Sequence, residues 1–234
     1  MHLFYCQQEV SSQLYSLDRE ESNHCIKVLR LKQGDFIHIT DGRGTLYKCQ
    51  IEDASSKNCV VKVVDTIKEF EKRDYYIHIA IAPTKNINRL EWFLEKATEI
   101  GIDEITPIYC HNSERDSLKT ERLDKIIVSA MKQSLKAYIP KLNELTPVET
   151  LIENAKEEKK LICYCQDEDR KLIKDTYKPK QSVLILIGPE GDFIPKEVNK
   201  ALSCGFEKIS LGKERLRTET AGVYSAMAIH IINQ

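Results

Sequence analysis

Val183-Leu184-Ile185-Leu186-Ile187 runs directly into the turn Gly188-Pro189-Glu190-Gly191. An apolar run of this length, closed by glycine and proline, is typical of a strand buried on both faces of a parallel sheet. Further along, Leu211-Gly212 leads through a basic loop into an apolar helix that begins near Thr218. Open α/β sheets bind ligands where loops meet at the carboxyl ends of neighbouring strands. The two loops together therefore predict a small-molecule site.

Strands and helices alternate through most of the chain around this stretch, which predicts a mainly parallel sheet covered by helices on both faces. Helical spacing from Leu90 to Ile100 ends at Gly101, a residue suited to a helix C-cap. Pro195 is expected to start a short helix, and Thr218 or Thr220 to cap the last one. The remaining predicted elements are strands at Tyr76–Ile81, Ile105–Tyr109 and Leu161–Cys165 and a helix at Leu123–Met131.

The first part of the chain has a different pattern, rich in β-branched residues. Phe36–Thr40 and Leu46–Ile51 flank an Asp-Gly-Arg-Gly turn, which predicts a hairpin, and Cys59–Val64 predicts a third strand. One short helix is expected over Ser22–Leu29. So few strands bury a core most readily as a small barrel. The charged run Lys68–Asp74 reads as a solvated linker, which gives domains at 1–70 and 71–234.

Bulk composition indicates a globular protein. The 234 residues are 41% hydrophobic and 30% charged, with a formal net charge of -1, so any nucleic-acid surface must be local. The N-terminus has no secretion-signal pattern, and no apolar run approaches the roughly 18 residues of a membrane span. We expect a cytoplasmic protein. The eight cysteines form no Cys-x-x-Cys pair, so they read as core residues, and no metal site is expected.

The glycine turn itself has two interpretations. It lacks the Gly-Lys-Ser/Thr ending of a phosphate loop and does not fit Gly-x-Gly-x-x-Gly. Glycine lets backbone groups approach a ligand, Pro189 stiffens the turn, and Glu190 suits a cationic or hydroxyl-bearing ligand. A tight turn without any ligand explains the same residues equally well.

Charged residues form three further groups. Arg215, Arg217 and Glu219 could be an exposed ion pair of little energetic value, but their place opposite the glycine turn favours a functional role. On the predicted helix after Ile81, a solvated face explains most of Lys85, Arg89, Glu95, Lys96 and Glu99. His24 and Lys27, three residues apart on a helix, could contact phosphates with Arg30.

Several motifs in order along the chain resemble one family, the bacterial RsmE-type 16S ribosomal RNA uracil-N3 methyltransferases of the SPOUT superfamily. The matching stretches are His24–Arg30, Lys96–Gly101, Ser113–Arg115, Gln133–Ser134, Ile187–Gly191 and Leu211–Ala221. The resemblance implies a PUA-like RNA-binding β-barrel at 1–70 and a SPOUT α/β methyltransferase domain with a trefoil knot at 71–234. It also implies S-adenosylmethionine as cofactor, 16S rRNA as substrate, free or in the small ribosomal subunit, and a homodimer.

The resemblance also assigns roles to residues. Arg217 would stabilise charge on the uracil, and Glu219 would take the N3 proton or else only shape the cofactor loop. Phosphates of the RNA would meet His24, Lys27, Arg30, Lys85, Lys96 and Arg115. The cofactor would be bound by Leu186, Ile187, Gly188, Pro189, Glu190, Gly191, Leu211, Gly212, Leu216, Thr220 and Ala221.

The chain departs from the family pattern at three positions. Lys132 stands where the family has Glu, Lys136 where it has Arg, and Asp192 where it has Gly. Two other functions stay open on the sequence alone: methylation of another RNA or of a ribose 2′-hydroxyl by an enzyme of the same superfamily, and RNA binding without catalysis. Intact cofactor loops argue against the second.

Overall fold

The computed structural model describes residues 1–10, 12–164 and 171–234, which form two compact units. The first unit contains Met1–Lys72 together with Met131–Ile139, and the second contains Arg73–Ala130 and Pro140–Gln234. No helix in the described parts of the chain is long and apolar enough to cross a membrane.

The first unit is built on a five-stranded sheet, as the β-rich pattern predicts. Its strands lie in the order β1-β3-β4-β5-β2, and all pairs are antiparallel except β1 with β3. The predicted hairpin is confirmed as the β3–β4 pair. The strands are β1 (Leu3–Tyr5), β2 (Leu14–Ser16), β3 (Phe36–Thr40), β4 (Leu46–Asp53) and β5 (Val60–Ile67).

The predicted helix over Ser22–Leu29 is wrong in its bounds and its type. A short α-helix, α1 (Arg19–Asn23), is followed directly by a π-helical turn at His24–Val28. Asp18 caps α1 through its Oδ1, 2.8 Å from the Glu21 amide. The amide of Leu29 donates to the carbonyl of His24, the five-residue spacing of a π turn, at 2.9 Å. Residues three apart are separated by a larger angle around a π turn than around an α-helix. His24 and Lys27 therefore do not share a face, contrary to the expectation from the sequence.

The 131–139 segment belongs by its contacts to the first unit, a membership that no sequence pattern indicated. The hydroxyl of Thr40 donates to the carbonyl of Ala137 at 3.1 Å. Lys132 pairs with the buried Glu21 at 2.5 Å and lies over the ring of Phe4. A lysine at 132 therefore anchors this segment to the sheet and α1.

The second unit contains an eight-stranded sheet in which every strand pair is parallel, as predicted. The strand order is β11-β13-β10-β12-β6-β7-β8, and β9 also pairs with β7. Its strands are β6 (Tyr76–Ile81), β7 (Glu104–Tyr109), β8 (Lys141–Leu142), β9 (Thr146–Pro147), β10 (Lys159–Cys163), β11 (Lys171–Leu172), β12 (Ser182–Ile187) and β13 (Glu207–Ser210).

Helices join these strands, and their positions follow the predicted periodicity where they are long. They are α2 (Ile87–Ile100), α3 (Thr120–Gln133), α4 (Val148–Asn154), α5 (Ile173–Thr176), α6 (Pro195–Ser203) and α7 (Thr218–Ile232). Gly101 ends α2 with φ 101° and donates to the carbonyl of Ala97, as expected of a C-cap glycine. A Cβ at Gly222 of α7 would lie 2.6 Å from the Phe93 ring, so glycine lets α7 pack closely on α2.

The linker interpretation of Lys68–Asp74 holds only in part. Arg73 is half-buried, and its guanidinium pairs with Asp103 at 2.7 Å and also donates to the carbonyl of Gly101. Arg73 therefore fixes the start of β6 to the turn before β7.

The parallel arrangement places the loops after β6, β7, β12 and β13 at one edge of the sheet, since the carboxyl ends of parallel strands coincide. One detail of the sequence-based expectation is wrong: β12 and β13 are not neighbours, because β10 lies between them. β10 ends at Cys163, and Cys165 lies outside the described residues.

Candidate functional site

The glycine turn after β12 is shaped by packing as well as by any ligand. A Cβ on Gly188 would lie 3.0 Å from the ring of buried Phe193, and one on Gly191 would lie 3.1 Å from Cβ of Asn112. The side-chain amide of Asn112 donates to the carbonyls of Gly191 and Asp192 at 3.1 and 3.0 Å. Both glycines therefore have a structural reason to be there, and their identity alone does not indicate a ligand.

Glu197 also holds this turn, and sequence reasoning missed it. Its buried carboxylate accepts from the amide of Ile194 at 2.9 Å and from the amide of His111 at 2.8 Å. One side chain thus fixes the loops after β7 and β12 together. The available signal was its position two residues after Pro195, where a glutamate can satisfy a free amide in the first turn of a helix.

The departure at Asp192 is explained by its backbone. Asp192 has φ 61°, a left-handed conformation that glycine and, less readily, aspartate adopt. Its Oδ1 accepts from the amide of Phe193 at 2.8 Å. Aspartate is therefore compatible with this left-handed turn.

The loop after β13 leaves open space. Gly212 has φ 126°, and a Cβ there would meet nothing within 4 Å. The hydroxyl of Ser210 accepts from the Gly212 amide at 3.2 Å. Leu211 and Leu216 are half-buried, while Arg215 and Arg217 are exposed. The loop therefore offers two apolar side chains beside an uncrowded backbone.

A threonine joins the two loops, but not in the predicted way. Arg217, in extended conformation, is the N-cap residue of α7 and caps without its side chain, so neither Thr218 nor Thr220 is the cap. Thr218 is instead the first helical residue, and its buried hydroxyl donates to the carbonyl of Gly188 at 3.3 Å. This bond ties the carboxyl end of β12 to the start of α7. Leu186 and Ile187 end β12 as buried residues, and Thr220 and Ala221 are half-buried in the first turn of α7.

Glu219 is a second buried acid of this site. Its side chain is 9% exposed, and Oε2 is buried without a hydrogen-bond partner. Its ionic neighbour is neither Arg215 nor Arg217 but Arg89 of α2, whose Nε lies 3.8 Å from Oε1. The same guanidinium binds Glu190 of the glycine turn through Nη1 at 2.5 Å. Arg89, interpreted from the sequence as part of a solvated face, therefore links the glycine turn to the first turn of α7.

A pocket of about 550 Å³ opens at this place. Its walls include Asn88, Arg89 and Trp92 from α2 and Leu216, Arg217 and Glu219 from the second loop and α7. The predicted catalytic pair, Arg217 and Glu219, thus lines one cavity. No group of three or more His, Cys, Asp or Glu side chains suited to a metal ion occurs among the residues that the structure describes.

The candidate RNA contacts of the second unit have protein partners. Lys96 pairs with Glu95 and Glu99 on α2, and Lys85 lies 3.2 Å from Glu114. Arg115 donates to the carbonyl of Lys85 at 2.9 Å. These contacts leave less of their charge available to a phosphate.

The candidates of the first unit are more available. Lys27 is exposed and lines a groove of about 520 Å³ with Arg19 and Lys57, two cations that the sequence did not single out. Arg30 is exposed with φ 57°, just past the π turn. His24 is exposed, and its ring meets Phe4 edge-on at 6.2 Å between centroids.

Comparison with known proteins shows the family of the chain. A family model described as an RNA methyltransferase domain matches residues 71–230, and one described as an RNA methyltransferase PUA domain matches 17–64. A ribosomal RNA small subunit methyltransferase E from Mesomycoplasma hyopneumoniae is 32% identical over 208 residues, covering 86% of this chain and 87% of that protein. The chain belongs to the ribosomal RNA small subunit methyltransferase E family.

Solved structures of other proteins are similar to this methyltransferase E family member over almost the whole chain. A crystal structure of a probable rRNA methyltransferase from Porphyromonas gingivalis has a TM-score of 0.93 and 44% identity, over 100% of this chain and 98% of that one. A methyltransferase from Legionella pneumophila, crystallised with the cofactor S-adenosylmethionine, has a TM-score of 0.88 and 28% identity, over 98% and 96%. The PUA-like and α/β architecture predicted from the resemblance is confirmed.

Proposed function

We propose that the protein transfers a methyl group from S-adenosylmethionine to N3 of a uridine in 16S ribosomal RNA. The observation that carries the proposal is the joining of the two loops: Thr218 bonds the Gly188 carbonyl, and the same helix turn buries Glu219 beside Arg217 in one pocket. The family membership supports an rRNA substrate. The cofactor in the Legionella relative supports the donor.

The residues present fit this cofactor. Open space at Gly212 and the half-buried Leu211 and Leu216 suit an adenine ring, and backbone groups near Gly188 suit its polar edge. When bound, the cofactor supplies an electrophilic methyl group on a sulfonium. The proposed binding set is therefore Leu186–Gly191, Leu211, Gly212, Leu216, Thr220 and Ala221.

The chain's own contribution is positioning and proton transfer. Uridine N3 becomes a nucleophile when it loses its proton, and in-line alignment with the methyl group lowers the barrier further. Glu219 is the proposed acceptor of that proton, because it is a carboxylate that lines the pocket and one of its oxygens has no hydrogen-bond partner. Arg217 is proposed to stabilise the charge that develops on the uracil oxygens.

Arg217→Lys tests the catalytic assignment. Lysine keeps the charge but loses the planar fork of arginine. Single-turnover methyl transfer at saturating cofactor should fall by roughly 10²-fold or more, the scale of losing one preorganised donor. Cofactor and RNA affinities should change much less, because Arg217 is exposed and does not support the fold. A defect that lies wholly in cofactor binding would show that Arg217 supports the cofactor site and takes no part in methyl transfer.

RNA is proposed to bind across the exposed cations of the first unit, with Lys85, Lys96 and Arg115 as weaker contacts. Lys27→Ala and Lys57→Ala should each lower affinity for a 16S rRNA fragment and reduce its salt slope by about one unit per lost phosphate contact. Lys48→Ala is the matched control, since Lys48 lies on β4 and does not line the groove. Equal affinity in all three variants would place the RNA surface elsewhere.

An rRNA substrate would also place the protein in the cytoplasm.

A homodimer is proposed as the working form. α7 exposes Tyr224, Met227 and Ile231 at helical spacing, between 41% and 60% exposed, and Trp92 of α2 is 42% exposed. Large apolar side chains on a single helix stripe are typical of an association surface. Met227→Glu should make the protein sediment as a monomer if a second copy covers this stripe, whereas a monomeric wild type would refute the dimer.

A further inference from the structure

We propose that Arg89 is a positioning residue for methyl transfer, acting through Glu219; the inference rests on the proposed function. Arg89 lies in the first turn of α2, far in sequence from both loops that it contacts. Its Nη1 binds Glu190 on the glycine turn at 2.5 Å, and its Nε faces Glu219 at 3.8 Å. One planar guanidinium therefore spans the glycine turn and the first turn of α7.

The charge of Arg89 matters because Glu219 is buried. A carboxylate removed from water is unfavourable unless a cation or hydrogen bonds compensate it. Within the described part of the chain, Arg89 is the only cation within 4.0 Å of this carboxylate, and Oε2 has no hydrogen-bond partner. Arg89 thus compensates the buried acid from the side of Oε1.

The contact with Glu190 fixes Arg89 in turn. Without it, a guanidinium that is one-third exposed could rotate into solvent and leave Glu219 alone. Arg89 meets the two carboxylates with separate nitrogens of one rigid plane, which a lysine with its single nitrogen does not reproduce. The bridge therefore needs arginine. Through it, the position of the glycine turn sets the position of Glu219, the proposed base.

The experiment is a mutant cycle on the full-length protein, with two readouts. Single-turnover transfer is measured at saturating S-adenosylmethionine and RNA for wild type, Arg89→Met, Glu219→Gln and the double variant. Melting temperature is measured for the same four proteins without ligands. Arg122→Met is the matched control, because Arg122 of α3 pairs with Glu91 of α2 at 2.7 Å and does not line the pocket.

Arg89→Met should lower transfer about 10-fold or more in the wild-type background and have little further effect in the Glu219→Gln background. It should lower the melting temperature by roughly 2–4 °C when Glu219 is present, and by less when Glu219→Gln has already removed the acid. Arg89→Lys should recover stability but only part of the rate. Arg122→Met should leave the transfer rate near that of wild type.

Additive effects of Arg89→Met and Glu219→Gln on both readouts would overturn the inference, as would an Arg89→Met variant as active as Arg122→Met. Should Arg89→Met fail to fold, Arg89→Lys with Glu219→Gln still tests the coupling through the transfer rate. Absence of methyl transfer by the wild type would instead refute the proposed function, and the stability cycle would still decide whether Arg89 compensates Glu219.

Discussion

Asp192 shows at the scale of one residue how a departure from a family pattern can preserve a turn. A left-handed backbone at φ 61° costs most residues about 1–2 kcal/mol, and the bond to the Phe193 amide offsets part of that cost. We therefore expect Asp192→Gly to change the free energy of unfolding by about 1 kcal/mol at most. Asp192→Val, which is β-branched and cannot make the bond, should destabilise by about 1–3 kcal/mol. Urea denaturation of the two variants measures both values, and equal stability would show that the turn tolerates any side chain.

The residues of the site were only partly predictable, and the reason is sequence distance. Arg217 and Glu219 lie where a basic loop opens into an apolar helix, a local pattern that draws attention by itself. Arg89 and Asn112 reach the same site only because parallel strands bring the loops after β6, β7 and β12 to one edge. Their contacts depend on strand order, which residue spacing does not report.

Among the elements, long periodic ones were predicted well and short ones were not. The β3–β4 hairpin, β6, β12 and α2 match their predicted positions, because alternation or helical spacing runs through them. Two-residue strands such as β8 carry too few residues to show a period. The π turn was missed because its sequence reads as ordinary helix, and only the spacing of its hydrogen bonds distinguishes it.

The strand β7 carries a carboxylate that makes stability depend on pH. Burial alone would raise the pKa of Glu104, but hydrogen bonds from Asn143 and Tyr76, the charge of His78 and a bond from Lys141 lower it to about 2. A folded pKa below the unfolded value means that the stabilisation is present above about pH 4.5 and is lost as pH falls toward 2.

Glu104→Gln removes this titration and checks the prediction. Between about pH 5 and pH 3, within that window, wild type should lose on the order of 1–2 kcal/mol more unfolding free energy than the variant, after allowance for screening by solvent. Chemical denaturation across the pH series measures the difference. Parallel curves for the two proteins would show that the contacts of Glu104 do not depend on its charge.

At the scale of the whole molecule, the chain crosses between its two units more often than the sequence suggested. The boundary near residue 70 follows from a change of pattern, whereas the 131–139 segment joins the first unit through contacts such as Thr40 with Ala137. Contacts between residues so far apart in the sequence leave no periodic pattern in it. The trefoil knot implied by the family resemblance stays a prediction, because strand order alone does not report how a chain is threaded.

The central claim is the chemical identity of the product, and one measurement tests it most directly. 16S rRNA from a strain lacking this gene is incubated, free and in small subunits, with the purified protein and S-adenosylmethionine. Its nucleosides are then separated and identified by mass spectrometry. The account predicts that 3-methyluridine appears and that Arg217→Lys slows its appearance. A 2′-O-methylated nucleoside, or no methylated nucleoside with either form of the RNA, would contradict it.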